Sequence, residues 1–310
     1  MSSGPETSEA RRAESGGTVF DIGYQRYTGA REGRARGRRA IFHGGVRTAL
    51  ALGRDGRAKA LPWSFILILV GFGFVLALGA GSALRTLGPE VAAQLPSHAD
   101  YYGMTSLIFI LFAAVTAPEL ICPDRRNRVV DLYFVRPITP LDYILARWSA
   151  FLAVALAVAW VPQIVLMIGL VMGNPEPGTY LLENWTNLPR ILLAGGSVAV
   201  YATTLALAVA SFTTRRAYAA AFLVGLFVIS SPFTIGLAQE SEGALGQWIA
   251  MFNLAAIPVH VNDIVFGEVT PITIIGNAHL LPVGVRLSWF ALWVIAPAAV
   301  LLYRYRRRTP

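Results

Sequence analysis

The grouping densest in chemistry-bearing side chains is His260-Val261-Asn262-Asp263, an imidazole two and three residues ahead of an amide and a carboxylate. Such a set can hold a metal ion or pass a proton between acid and base partners. A rim of loop side chains that satisfy one another is the simpler account. The other histidines, His43, His98 and His279, are scattered, and no Cys/His spacing matches a metal site. No G-x-x-x-x-G-K-S/T phosphate loop occurs, since the only lysine, Lys59, follows Ala58. Neither an H-E-x-x-H zinc helix nor a G-x-S-x-G elbow is present. Without a converging nucleophile, base or metal-ligand set, the chain reads as non-catalytic. Cys122 is the only cysteine, so no disulfide can form within the chain, and a small buried structural thiol is expected there. Asn184-Trp185-Thr186 has the form of a glycosylation acceptor.

The elements that carry these residues are apolar. Of the 310 residues 55% are hydrophobic and 14% charged, where a soluble domain carries about 25% charged. The net charge of +8 would suit nucleic acid, but the basic residues stand at the ends of apolar runs instead of along one solvated face. Nucleic acid is therefore set aside as a partner, and membrane lipids are the expected surroundings. Six runs reach the roughly 20 residues a spanning helix needs: 61–84, 103–121, 148–172, 190–212, 218–238 and 285–303. The first is too long for a cleaved signal and should remain as a span.

With the N-terminus inside, 23 of the 26 Lys/Arg fall on inner segments, and the long outer segment 239–284 has none. This is the positive-inside pattern, so both termini are expected in the cytoplasm of a multi-pass protein of the cell (plasma or inner) membrane. The organisation that follows is a disordered tail (1–18), a cytoplasmic and interfacial segment (19–60), a six-helix domain (61–303) and a basic tail (304–310). Within 38–57, Phe42, Val46, Ala49 and Leu50 recur at helical spacing beside His43, Arg47 and Arg54, which predicts an amphipathic helix lying in the interface. Gly44, Gly45 and Gly53 count against that helix.

Between the second and third runs, 117–148 holds Arg125, Arg126, Arg128, Arg136 and Arg147. Each would cost roughly 2.5 to 3.5 kcal/mol at the bilayer centre, which places this insert outside the hydrocarbon. Pro118 and Pro123 bracket the exit from the preceding run, and a short helix is expected from Asp124 to the stop at Arg136-Pro137. It would set Val129, Val130, Tyr133 and Phe134 against Arg125, Arg126, Arg128 and Asp131. Thr139-Pro140-Leu141-Asp142 then spells a helix start, with Thr139 as N-cap and Asp142 closing a capping box. A short helix pinned between two breakers is a rigid part.

Elsewhere, Gly73, Ala77 and Gly81 in the first run and Gly195, Ala199 and Thr203 in the fourth predict close helix packing. Pro162 should kink the third run or leave a carbonyl for a neighbour to satisfy. In the outer segment, Leu245, Trp248, Ile249 and Phe252 form an apolar stripe too short to cross, and 257–266 adds a second piece. Short half-crossing helices forming an outer gate are expected, with packing on top of the bundle as the alternative. Deep in the runs ionisable residues are nearly absent, which argues against ion-coupled transport and for energy delivered by a separate protein.

These features together resemble the permease subunits of ABC-2 type transporters. The resemblance rests on six spans with both ends inside, V-F-D-I-G-Y-Q-R-Y-T-G-A-R-x-G-R from Val19, A-P-E-L-I-C-P-D-R-R from Ala117, L-Y-F-x-R-P-I from Leu132, and the half-crossing segment before the last span. It implies an all-α polytopic fold and a cytoplasmic coupling helix made of Asp124, Arg125, Arg126, Asn127, Arg128, Val129, Val130, Asp131, Leu132, Tyr133 and Phe134. By resemblance, Val129, Tyr133 and Phe134 would be the apolar contacts to an ABC ATPase subunit and Arg125, Arg126 and Arg128 the polar ones. ATP and Mg would bind that partner, with no cofactor on this chain. A second permease would complete a homo- or heterodimer exporting a lipid, glycan or drug-like molecule. A polytopic anchor or assembly factor without transport activity is the alternative.

Overall fold

A backbone in hydrocarbon must satisfy its own hydrogen bonds, and a helix does so within one segment. In the computed structural model the described residues are 33–53, 56–86, 88, 90, 96–129, 133, 138–241 and 243–306, and no strand occurs among them. The helices are α1 (Gly33–Ala49), α2 (Gly56–Thr86), α3 (His98–Thr116), α4 (Pro118–Arg126), α5 (Pro140–Gly173), α6 (Pro177–Asn184), α7 (Asn187–Ala210), α8 (Arg216–Glu240), α9 (Gly243–Ala250), α10 (Ile257–Phe266), α11 (Pro271–Ile274) and α12 (Val283–Arg306). A 3₁₀ turn, Ile275–Leu280, joins the last two. Six stretches are long and apolar enough to cross a membrane: Lys59–Thr86, His98–Arg126, Pro140–Gly173, Asn187–Ala210, Arg216–Glu240 and Val283–Arg306. Each corresponds to one of the six runs expected from the sequence.

Local chemistry sets where the long helices begin. Ser97 caps α3, accepting from the Ala99 and Asp100 amides while the Asp100 carboxylate accepts the Ser97 N–H at 2.9 Å. Thr139 and Asp142 close the box expected at the start of α5, with Pro140 at its first position. Such a cap stabilises a helix by about 1 kcal/mol.

Small residues then let α2 and α5 touch backbone to backbone. A Cβ on Gly73 would stand 2.9 Å from the Pro162 carbonyl oxygen, and one on Gly81 2.9 Å from that of Gly169. A Cβ on Gly173 would collide with the Gly81 backbone. In α7, Gly195, Ala199 and Thr203 are all buried, with Gly195 under Tyr102 and Trp160. Helix α5 runs through Pro162 without a break, and the Tyr102 hydroxyl donates to the Ala159 carbonyl, 3.3 Å away, in the turn before the proline. That bond serves the carbonyl next to Val158, the one the proline leaves without its N–H donor.

The first helix also depends on close approach. Ile41, Gly45 and Ala49 are buried against α5, and a Cβ on Gly45 would lie 2.6 Å from that of Ala150. Gly45, which the propensity argument counted against a helix, is the residue that lets it close. Phe42, Val46 and Leu50 are half-buried, whereas His43 and Arg47 are exposed. The helix ends in a Schellman motif, with the Ala51 amide on Thr48 O and the Leu52 amide on Arg47 O, at 3.0 and 2.8 Å. Ala51 occupies the left-handed position, φ 51°. Ala51→Gly is expected to raise stability by about 1 kcal/mol, since the Cβ is strained there. Thermal unfolding in detergent would read it as a higher midpoint.

Candidate docking site

The expected coupling segment leaves the bundle at the end where α4, the start of α5, the 211–216 turn and the close of α12 meet. Helix α4 begins at Pro118 and contains Pro123, so Asp124 stands in its last turn instead of opening a new helix. The break falls later. Asn127 ends α4, Arg128 takes φ 54°, and the backbone is helical again at Val129 and at Tyr133. Val130, Asp131, Leu132 and Phe134 lie outside the described residues.

Four side chains anchor α4. Asp124 accepts from the Tyr143 hydroxyl at 2.8 Å and from Arg147 at 2.5 Å, both on α5. Arg147 is buried, and its guanidinium also stands 5.6 Å from the Tyr143 ring centroid. Arg125 turns inward and donates to the carbonyls of Ser211 and Thr213, just past the end of α7. Those carbonyls lie just beyond the helix, beside the negative end of its dipole, where a guanidinium is favoured. Cys122, buried as expected, donates its thiol to the Ala210 and Thr213 carbonyls, each 3.6 Å away. Glu119 pairs with Arg216 at 2.6 Å.

A second set joins α1 to α5. Arg34 donates to Asp142 at 2.6 Å, and Arg38 lies 3.9 Å from the same carboxylate. The hydrogen bond and charge of Asp142 hold the exposed Arg34 guanidinium above its usual pKa. Asp142 is buried but Arg34 is largely exposed, so water screens the pair and it contributes little by itself. Tyr143 lies between Tyr133 and Tyr305, with ring centroids 5.7 and 5.9 Å away. Tyr133 therefore packs inward, while Arg126, Asn127 and Arg128 face solvent. Chemically the site is a cationic, solvent-facing step on a base fixed to α5 and α7.

Neither Tyr143 nor Arg147 was singled out from sequence as a partner of Asp124. The available signal was a buried-type arginine one turn after a tyrosine at the start of an apolar helix.

At the other end, the candidate gate residues lie around α12. Phe252 and Trp248 contact Trp289, with ring centroids 5.0 and 6.2 Å apart, and Trp289 donates to the Met251 carbonyl at 2.8 Å. Ile249 is half-buried, and Leu245 is exposed. The His260 grouping is no solvent-facing rim, for His260, Asn262 and Asp263 are all buried on α10, which packs on α3, α7 and α12. Asn262 donates to the Ala99 carbonyl at 3.0 Å. Asp263 accepts from the Thr270 amide and hydroxyl, at 3.3 and 3.0 Å, and from the Thr273 hydroxyl. Burial raises its carboxyl pKa against the pull of those donors. Gln163, a span residue that sequence reading passed over, bonds His98 twice, at 2.6 Å to the ring and 2.9 Å to the carbonyl. No group of three His, Cys, Asp or Glu able to hold a metal occurs among the described residues. Searched against protein-family models the chain matches none, and no curated protein matches it.

Proposed function

We propose that this chain is the membrane permease of an ABC-2 type ATP-driven exporter, docked on a separate ATPase through the step that follows α4. The observation that carries the reading is the asymmetry of that step. Asp124 and Arg125 are tied to two long helices, while Arg126, Asn127 and Arg128 are left exposed. A partner pressing on the exposed residues moves a body already fixed to α5 and α7, so displacement reaches the bundle instead of being absorbed by a loop. The positive-inside excess supports a cytoplasmic location for this end, where ATP is available. ATP and Mg act on the partner, and a second permease completes the path. The division of labour refines the expected contact set: Arg126, Asn127 and Arg128 touch the ATPase, and Arg125 positions them.

The test is mild detergent purification of the tagged chain from its host. A phosphate-loop ATPase is expected to co-elute with the unaltered chain and to be lost from Arg126→Glu/Arg128→Glu, a variant that leaves the buried anchors intact. Absence of any ATPase from the unaltered chain in several mild detergents overturns the proposal in favour of an anchor.

A further inference from the structure

The contacts between α2 and α5 advance together along both helices, Gly73 on Pro162, Ala77 on Gly169 and Gly81 on Gly173. The two helices are therefore parallel and end on the same side of the bundle, away from the docking step. With glycine on both sides of the seam, a groove of about 450 Å³ stays open beside it, within the roughly 300 to 1,000 Å³ of ligand pockets. Its lining changes character along its length. Phe74, Leu78 and Ile168 stand nearer the middle of the bundle, whereas Ser82, Arg85 and Thr86 line the end. From Phe74 to Arg85 the helix rises about 16 Å, at roughly 1.5 Å per residue. That is the depth of one leaflet, half of a hydrocarbon core about 30 Å thick.

Arg85 is fixed at the polar end. Its guanidinium donates to the Met172 carbonyl in the last turn of α5, where the helix dipole favours a cation. One such bond leaves further N–H donors of the guanidinium open, and no carboxylate pairs with Arg85 among the described residues. The Ser82 and Thr86 hydroxyls are spent within α2, donating to the Gly79 and Ser82 carbonyls at 2.9 and 2.8 Å. The donors left for an occupant at this end are those of Arg85.

A groove that is apolar over the depth of one leaflet and cationic at its edge is complementary to an amphiphile with an anionic head, and a guanidinium bonds phosphate strongly. Spread over its length, the volume makes a slot narrower than a helix, which is about 10 Å across. An extended chain fits it and the helix of a second copy does not. We propose that this groove binds an anionic glycerophospholipid, one acyl chain lying along Phe74, Leu78 and Ile168 and the phosphate resting on Arg85. The proposal stands apart from the transport reading and applies equally to an anchor.

The test uses the full chain, purified in mild detergent and titrated with phosphatidylglycerol or with phosphatidylcholine of the same chain length. Bound lipids are counted by native mass spectrometry. One phosphatidylglycerol per chain is expected to bind more tightly than phosphatidylcholine. Arg85→Gln should weaken phosphatidylglycerol about fivefold or more and erase that preference. Ser82→Trp, which fills the head end of the groove and keeps the charge, should weaken both lipids. Arg190→Gln removes an exposed charge near the start of α7, on the same side of the bundle, and should change neither. Unfolding midpoints without added lipid separate lost binding from lost folding. Equal binding of the two lipids by the unaltered chain, or phosphatidylglycerol binding unchanged by Arg85→Gln, overturns the proposal. So does a Ser82→Trp variant that loses a dimer and keeps its lipid, which assigns the groove to a second copy.

Discussion

Asp124→Ala is expected to destabilise the protein by about 3 kcal/mol or more, because it strands the Arg147 guanidinium in a buried place with no counter-charge. Arg147 donates to Asp124 at 2.5 Å and is almost wholly enclosed. The same reasoning gives the rescue. Removing both charges, as Asp124→Leu with Arg147→Met, should restore most of the loss, since a buried pair is often replaceable by apolar residues of similar size. The double-mutant cycle, read by thermal or denaturant unfolding in micelles, should therefore show strong non-additivity. A simple sum of the two single effects would mean that the pair does not act as a unit. If the proposed docking holds, the double variant also separates stability from coupling: folded but without the polar tie, it should keep an ATPase bound and lose part of the stimulation of ATP hydrolysis.

Gly173→Leu should have an effect of at least the same size. The added carbons would enter the Gly81 backbone on α2, and a backbone cannot rotate out of the way as a side chain can. Overpacking ordinarily costs about 1 to 3 kcal/mol, and a clash against main chain belongs at the upper end or beyond. Gly169→Leu meets Ala77 in the same seam, with the first added carbon 2.5 Å from its Cβ, and should behave alike. Gly225→Leu on α8 is the control, because a Cβ there meets nothing within 4 Å. Limited proteolysis of the three variants in micelles should cut the first two rapidly and spare the third. Equal resistance would mean that α2 and α5 do not pack as described.

The long helices were legible because a run of about 20 apolar residues has few other structures open to it, and because Thr139 and Asp142 spell a start in any context. The region between them was less so. Sequence placed a helix start at Asp124 on the strength of Pro123, yet Pro118 begins α4 and the break comes at Arg128, a residue with no glycine to announce a left-handed turn. Arg125 looked like a surface cation beside Arg126. Its destination is a pair of carbonyls 86 and 88 residues away in the chain, a tertiary partner that no local pattern encodes. Gly45 shows the same limit, since a propensity scale sees the cost of a glycine and not the Ala150 methyl that requires it. By sequence His260 reads as a rim residue because it lies in an outer segment. The apolar stretch around it was the available signal that this segment folds inward and takes its polar residues with it.

The central claim is that the step after α4 faces an ATPase, and photo-crosslinking from a single position tests it most directly. A photoreactive residue at the exposed Asn127, activated in native membranes, should give an adduct with a phosphate-loop protein, whereas the same residue at the exposed Leu182 of α6, at the opposite end, should give none. Adducts from Asn127 that contain only lipid, or an ATPase captured from Leu182 and not from Asn127, would contradict the account.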